Sequence, residues 1–533
     1  MAPDKTSEVS KISEQLLILE KRHPVVGRHL PSFLRTNGSN FAFAQCDRED
    51  RYLARLSITP GPIIQKQFGI SLEIPVMISL HDSLQPRVLR ELERLRDKPT
   101  ADQDIGILVA RDKAARTLVR DRQEFAYPVL VILESDIEQL HRTSSLRESL
   151  ADLLRSVNHF EFSLDIRNPN QFFGRRKDIE SITTLLRTGQ SVGVFGLRKS
   201  GKTSLLHQVQ RSLMAHGTLA PLLQLNTVTD DIDFREKITS KIAEAVYLDK
   251  GRLPTNLAIV DSRGESNSYN KETIVTRRWT ADLVKIMRYS NKSLTIIIDE
   301  IDLANDEMVD DSPGMEFGAR TREERRSLHR VLRELRGAVQ LVTADESARK
   351  ISVLAAGVAA SITTSVVRYG QENQLYQFLT VHPLGPMLPA DIRSMARTLG
   401  KRSGLRFHDQ ALTDTLYKEY GGHPHLTRMA CSAVADARAS MRDCPVPYPV
   451  EDADLERAFS LQGERSPHHA ALQMLKGFGL WYQSEYLIVA STIAAGQLQV
   501  DDPGKVSHAV DFGICDQEGR IAMNVLRRGD GDA

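Results

Sequence analysis

The sequence predicts an α/β protein of several domains, organised around a parallel sheet that carries a phosphate-binding loop. Three observations predict it. Gly196-Leu-Arg-Lys-Ser-Gly201-Lys202-Thr203 follows an apolar run at 191–195 and opens a helical stretch. Leu294-Thr-Ile-Ile-Ile-Asp299-Glu300 is a second apolar run, ending in two carboxylates. Short continuous apolar runs alternate with helical patterns elsewhere, as strands buried on both faces require.

At 533 residues the chain exceeds what one core supports, and about three to four domains are expected. It is 41% hydrophobic and 26% charged with a net charge of +1. That balance gives no global pull toward nucleic acid or acidic membranes, so any basic surface is local. Cys46, Cys431, Cys444 and Cys515 lie far apart with no CxxC pair, which fits reduced thiols in a cytoplasmic protein. No apolar run reaches the ~18 residues of a membrane span, and the N-terminus lacks the apolar core of a secretion signal.

Residues 1–165 carry apolar runs at 74–80, 105–110 and 127–133, separated by helical patterns at 87–95 and 113–121. They read as a small α/β domain with a parallel sheet. An extended connector, stiffened by Pro169, leads into the nucleotide domain at 166–385. Strands are expected there at 191–195, 221–226, 294–299 and 351–356, with a fifth near 376–381. A helix with the stripe Leu328, Val331, Leu332 and Leu335 spreads arginines over its other faces. With Glu323, Glu324 and Glu334 interleaved, those read as a solvated face. Residues 386–445 read as a helical lid. Residues 446–533 read as helices followed by a hairpin with arms at 508–514 and 520–526, a winged-helix-like domain. The tail at 529–533 is expected to fray.

The loop at 196–203 matches GxxxxGK[ST] in the setting its chemistry requires, between a buried strand and a helix N-terminus. Its glycines let the backbone amides of Gly196, Leu197, Arg198, Lys199, Ser200, Gly201, Lys202, Thr203 and Ser204 turn toward phosphate oxygens, and the helix dipole adds positive charge there. Lys202 would neutralise β- and γ-phosphate charge, and the Thr203 hydroxyl would ligate Mg²⁺. An ordinary glycine turn is the bland alternative; strand, loop and helix together argue for a bound nucleoside triphosphate. Asp299, at the carboxyl edge of the sheet, would also hold Mg²⁺, and Glu300 would act as the base for the attacking water. Asp302 reads as a helix-start residue. One further strand-helix unit falls between the two motifs in sequence, an arrangement that favours a hydrolysing P-loop layout over a kinase one.

Taken together, Phe172-Phe-Gly174-Arg175, the loop at 194–206, Ile298-Asp-Glu-Ile-Asp302, Leu354-Ala-Ala-Gly-Val358 and Gly421-Gly-His-Pro424 resemble the signal-transduction ATPases with numerous domains (STAND NTPases), within the AAA+-like group of P-loop NTPases with an added central strand (ASCE). The resemblance spans roughly 165–525. It implies ATP and Mg²⁺ as ligands, an ATPase activity, and a nucleotide base lined by Phe172, Phe173 and Gly174 with Arg175 nearby. It also implies that Pro424 closes over the adenine from the lid. The family's pattern has acidic residues after Gly-Arg; here Arg176 and Asp178 stand instead. Locally, Gly421-Gly-His-Pro424 also reads as a helix C-cap followed by a proline-started helix. Arg349 and Arg368 are the candidates for an arginine finger.

In such proteins the N-terminal module is often the effector or sensor. Residues 1–165 contain no Glu-x-Lys, Asp-x-Lys or Gln-x-Lys, which disfavours a metal nuclease. Glu73, Asp104 and Asp112 read as turn and edge carboxylates. The leading expectation is an ATP-hydrolysing switch that acts through a protein partner or self-association, in prokaryotic defence. The alternative is a nucleic-acid-binding AAA+-like ATPase, a loader or transposition-type regulator. The sparse basic content of the last segment argues against tight DNA contact.

Overall fold

The computed structural model describes residues 5–121, 127–161, 165–255, 257, 268–305, 321–344, 349–368, 371–441 and 444–528. The tail expected to fray lies outside them, as do residues 162–164 of the expected connector. The chain forms two compact units. One comprises Met1–Ser163, Ala390–Thr415 and Arg428–Leu461; the other comprises Leu164–Pro389, Leu416–Thr427 and Gln462–Ala533. No helix among the described residues is long and apolar enough to cross a membrane.

In the first unit, strands β1 (Asn40–Cys46), β2 (Leu53–Thr59), β3 (Ile74–Ser79), β4 (Gly106–Ala110) and β5 (Val129–Leu133) lie side by side in sequence order. The three predicted strands, β3 to β5, are parallel. The sheet as a whole is mixed, because β1 and β2 form an antiparallel hairpin that pairs antiparallel with β3. This corrects the expectation of a purely parallel sheet. The hairpin has no continuous apolar run: β1 alternates between exposed and buried positions, and β2 places Arg55 and Ser57 at half-buried ones, the pattern of strands wetted on one face. Along β3 the side chains divide between two cores. Val76 and Ile78 join Leu30, Phe33 and Leu150, whereas Met77 joins Leu89, Leu92 and Tyr127 on the other face. All six β3 positions are therefore buried.

The scattered carboxylates of this unit are structural. Glu73 accepts from the Ser57 hydroxyl at 2.8 Å, and Asp112 accepts the Leu84 and Ala114 amides. Asp104 is more than a turn residue: it accepts from Lys401 at 2.7 Å and from the buried Arg402 at 2.9 Å.

The second unit is built on β6 (Val192–Phe195), β7 (Leu222–Gln224), β8 (Leu294–Asp299), β9 (Ile351–Gly357), the short ribbon β10 (Val367–Arg368) and β11 (Gln371–Glu372), and β12 (Thr380–Pro383). The main sheet runs β12-β6-β9-β8-β7 with every pairing parallel. β9 thus separates the two motif strands in space, whereas β7, the strand that falls between them in sequence, lies at the edge of the sheet. β12 overlaps only the end of the expected 376–381, because Gln377 turns in the left-handed region at φ 54°. The helix Arg322–Thr343 starts from a capping box made by Thr321 and Glu324 and buries the predicted apolar stripe. Arg325 departs from the solvated-face reading: it is buried and donates to the Asn305 carbonyl.

Residues 386–440 form the helices Pro389–Arg402, Gln410–Tyr420 and Pro424–Ala439. Beyond them the second unit adds Pro467–Gly479, Gln483–Ala494 and the short Ser507–Asp511. The first expected hairpin arm is therefore helical at its start. Among the described residues only the bridges Gln499↔Arg520 and Cys515↔Ile521 connect extended backbone there. The buried Val506, Ala509 and Phe512 recur every three residues, the spacing of one helix face, which in a strand would point alternately to opposite faces.

Candidate phosphate-binding site

Parallel pairing brings the carboxyl ends of β6, β9 and β8 to one edge of the sheet, where α/β proteins place ligands. The Gly196 amide donates to the Gly357 carbonyl at the end of β9, and the Leu384 amide donates to Phe195. These bonds pin the start of the loop. Only glycine fits at position 196, because a Cβ there would stand 2.8 Å from the Leu384 carbonyl oxygen. Lys199 (φ 59°) and Gly201 (φ 94°) both take the left-handed conformation, which curls the loop into the first turn of the helix Lys202–Ala215.

The polar groups inside this curl are specific. Lys202 is half-buried, and its Nζ donates to the carbonyls of Gly196 at 2.9 Å and Leu197 at 2.7 Å. Burial lowers its pKa to about 8, an effect partly offset by the charges of Asp302 and Asp299. The Ser200 hydroxyl is buried and has no hydrogen-bond partner among the described residues, and a Cβ on Gly201 would meet nothing within 4 Å. A buried ammonium, an unsatisfied buried hydroxyl, open space at Gly201 and a helix N-terminus together suit an anion. Ser204 differs from its neighbours: its hydroxyl accepts the Ile166 amide, so that side chain serves the scaffold.

The two motifs meet. The Thr203 hydroxyl donates to Asp299 Oδ2 at 2.6 Å across 96 residues of sequence. Asp299 is buried at the tip of β8, and its Oδ1 accepts the Glu300 amide. Glu300 is left-handed at φ 58°, backbone strain of the kind that collects at functional sites. Burial raises its pKa, Asp299 adds to that, and Arg198 opposes it. Among the described residues no group of three or more His, Cys, Asp or Glu side chains gathers as a metal cage. A magnesium ion here would instead have the Thr203–Asp299 pair and phosphate oxygens as ligands, the sparse protein donor set that ion favours.

Two residues matter more than their sequence suggested. Asp302 lies inside the short 3₁₀ turn Ile301–Ala304 rather than starting it, and its half-buried carboxylate accepts the amides of Val358 at 2.6 Å and Ala359 at 2.8 Å, beyond the end of β9. In Gly421-Gly-His-Pro424 the two glycines have positive φ, and Pro424 begins the next helix. His423 is the residue that reaches the loop: its Nε2 lies 3.3 Å from the Arg198 carbonyl, and burial lowers its pKa to about 3. It is therefore neutral at physiological pH, and with the Leu426 amide donating to Nδ1 its Nε2 carries the proton. A histidine between glycines and a proline gave no spacing signal by which to find it.

The remaining candidates are placed as follows. Phe172 packs against the core beside β6. Phe173 is half-buried, and Gly174 and Arg175 make a left-handed turn into the helix Arg176–Arg187. Arg175 donates to the Pro386 carbonyl, and Asp178 pairs with His382 at 2.9 Å. Neither arginine-finger candidate is presented to the loop. Arg349 precedes β9 at the opposite edge of the sheet and binds the Arg288 carbonyl, while Arg368 is buried against Asn305 and Ser361.

No protein-family model and no curated sequence matches the chain. Among solved structures it is similar to the Walker-type ATPase PABY2304 of Pyrococcus abyssi, at TM-score 0.41 and 13% identity over 69% of this chain and 98% of that one. It is also similar to a RuvB mutant of Thermotoga maritima (0.33, 11%, 67% and 95%) and to Cdc6p of Pyrobaculum aerophilum (0.33, 12%, 66% and 82%). Superpositions this loose say nothing about substrate or partner.

Proposed function

We propose that the chain is an ATP- and magnesium-dependent ATPase that works as a molecular switch of the STAND type. The observation that supports this most is the Thr203–Asp299 contact at 2.6 Å, which joins a phosphate loop to an acidic strand tip. In this reading ATP brings the β–γ anhydride to be cleaved, and a bound magnesium would supply positive charge for its oxygens. The loop amides and the Lys202 ammonium cradle the phosphates, and Thr203 and Asp299 hold the ion. The Glu300 carboxylate takes the proton of the attacking water, and its upward-shifted pKa makes it a stronger base. Phe173, Gly174, Arg175 and Pro424 would line the base, with His423 tying the Gly-His-Pro segment to the loop. A ligand that binds a closed form better than an open one shifts the population toward it, and hydrolysis resets it. The signal would pass to a protein partner or a second copy of the chain, and prokaryotic defence is the setting this resemblance favours.

Calorimetry with ATP and magnesium tests the reading: the purified chain binds the nucleotide, and removal of magnesium weakens binding. The rival AAA+-like reading forecasts something different, namely duplex DNA binding with a steep salt slope and stimulation of hydrolysis.

A further inference from the structure

The turn after β9 is gripped from two sides. From the phosphate site, both Asp302 oxygens accept its amides, those of Val358 and Ala359. No side chain fits at the preceding Gly357, where a Cβ would stand 2.5 Å from Asp302 Oδ1. From the C-terminal helices, the Tyr482 hydroxyl accepts the Ala360 amide at 3.0 Å and donates to the Val358 carbonyl at 3.0 Å. Four backbone groups on three consecutive residues are thereby shared between one carboxylate and one phenol.

Each grip has its own support. Asp302 faces the phosphate loop, where its charge acts on both Lys202 and Arg198. Tyr482 is held rigidly: its ring stacks on Phe478 at 5.0 Å and on His508 at 4.3 Å, and His508 pairs with Glu485 at 2.6 Å. The second Glu485 oxygen accepts the Ala509 amide, which fixes that pair to the next helix. Arg198 of the loop also passes beside the helix Pro467–Gly479, where a Cβ on Gly477 would lie 3.5 Å from its Cδ. A shift of the Asp302 carboxylate toward or away from a bound phosphate would move the turn, and the turn cannot move without disturbing both Tyr482 hydrogen bonds. Packed elements of this kind switch between discrete arrangements rather than deform gradually.

We infer that Tyr482 is a positioning residue for the phosphate site, and that through it the C-terminal helices register which nucleotide the site holds. The inference rests on the ATPase reading and gives that site its regulator. Tyr482 touches no reacting group. It sets the turn, the turn sets Asp302, and Asp302 sets the electrostatics around Lys202.

The test uses the full chain and Tyr482→Phe, which keeps the ring stack and removes only the hydroxyl. Hydrogen exchange of residues 478–486 and 357–360 is compared with Mg·ATP and Mg·ADP, and kcat and KM are measured separately. The expected result is a nucleotide-dependent exchange difference in both segments of the wild type, erased by Tyr482→Phe. With it comes a fall in kcat of about tenfold at a KM within about twofold, the signature of an interaction that acts on turnover rather than on binding. Combining Tyr482→Phe with Asp302→Asn gives less than the product of the single effects. Equal exchange with ATP and ADP in the wild type overturns the inference without any variant. So does a Tyr482→Phe protein that keeps the difference and the wild-type kcat, or one that merely melts earlier while keeping the difference. Calorimetry on the wild type separates the two levels: retained ATP with an inert Tyr482 sinks this inference alone, whereas no ATP retained sinks the switch reading and this with it.

Discussion

Two five-stranded sheets in this molecule present charged groups at the carboxyl ends of parallel strands, yet only one of them makes a plausible site. In the first unit those charges neutralise one another. His81 pairs with Asp50 at 3.0 Å, Arg87 with the same carboxylate at 2.6 Å, and Arg111 with Glu134 at 2.6 Å. In the second unit the edge holds a half-buried lysine whose donors reach only backbone carbonyls, a buried hydroxyl with no partner among the described residues, and two non-glycine residues in left-handed conformations. Carboxylates and cations do not mark a site by themselves. What marks it is polar capacity and backbone strain left unspent by the fold, held for something that binds.

That contrast can be broken by substitution, beginning with the largest effect. Lys202→Met is expected to weaken triphosphate binding by roughly 2–5 kcal/mol, the cost of removing one partner of a buried charge pair. The same change should leave thermal stability intact or raised, because a buried ammonium is replaced by an apolar chain of similar length. A calorimetric Kd and a melting curve check both halves. Glu300→Gln is expected to keep the Kd and to lower turnover by about 10²–10³-fold, as loss of a general base does; hydrolysis at the wild-type rate would remove Glu300 from the mechanism. In the first unit the relation inverts. Asp104→Ala strands the buried Arg402 and should cost about 3 kcal/mol in denaturant unfolding while leaving nucleotide affinity unchanged.

Two smaller effects sharpen the comparison. Glu300→Gly relieves the left-handed strain and, after the entropy cost of glycine, should stabilise the fold by about 1 kcal/mol while it abolishes hydrolysis. A lower melting temperature in that variant would show that the strain is absent. The last prediction concerns protons. Lys202 has a folded pKa of about 8 against an ordinary value of 10.5, so the charged form is disfavoured by folding. Below about pH 8 that penalty is present in full, and it fades as pH rises toward 10.5. A bound phosphate restores the charge. Binding near pH 8.5 should therefore take up a fraction of a proton, visible as a dependence of the binding enthalpy on buffer ionisation heat and lost in Lys202→Met.

The parts of this architecture that were legible in the sequence are those whose chemistry is local. The phosphate loop is contiguous, and its glycines announce themselves. Strands β3 to β5, β6 and β8 are continuous apolar runs, because burial on both faces leaves no room for polar residues. That β6 and β8 are not neighbours was legible, but the strand that separates them is β9, which follows both in the chain, and not β7, which falls between them in sequence and lies at the sheet edge. The features that escaped depend on partners distant in sequence. The β1–β2 hairpin alternates, so its period was masked by Arg55 and Ser57. His508–Ile514 reads as a strand from its short apolar run, whereas its buried Ala509 and Phe512 stand at the i,i+3 spacing of a helix. Asp302 looked like a helix start, but it sits inside a short 3₁₀ turn that begins at Ile301; that its carboxylate clamps the end of β9 depends on residues 358 and 359. Tyr482 lies in a helical region with no motif at all, and His423 was overshadowed by the proline beside it.

The strand order has a consequence for how the protein is born. β9 separates β6 from β8 in space but follows both in the chain. The phosphate loop and its acidic partner therefore remain unjoined on the ribosome until residue 357 has been made and threaded between them. A fragment ending before that point holds both motifs yet has no framework to bring them together. Nucleotide then cannot template the early steps of folding, and ATP captured during synthesis would mark the moment at which the nascent sheet closes.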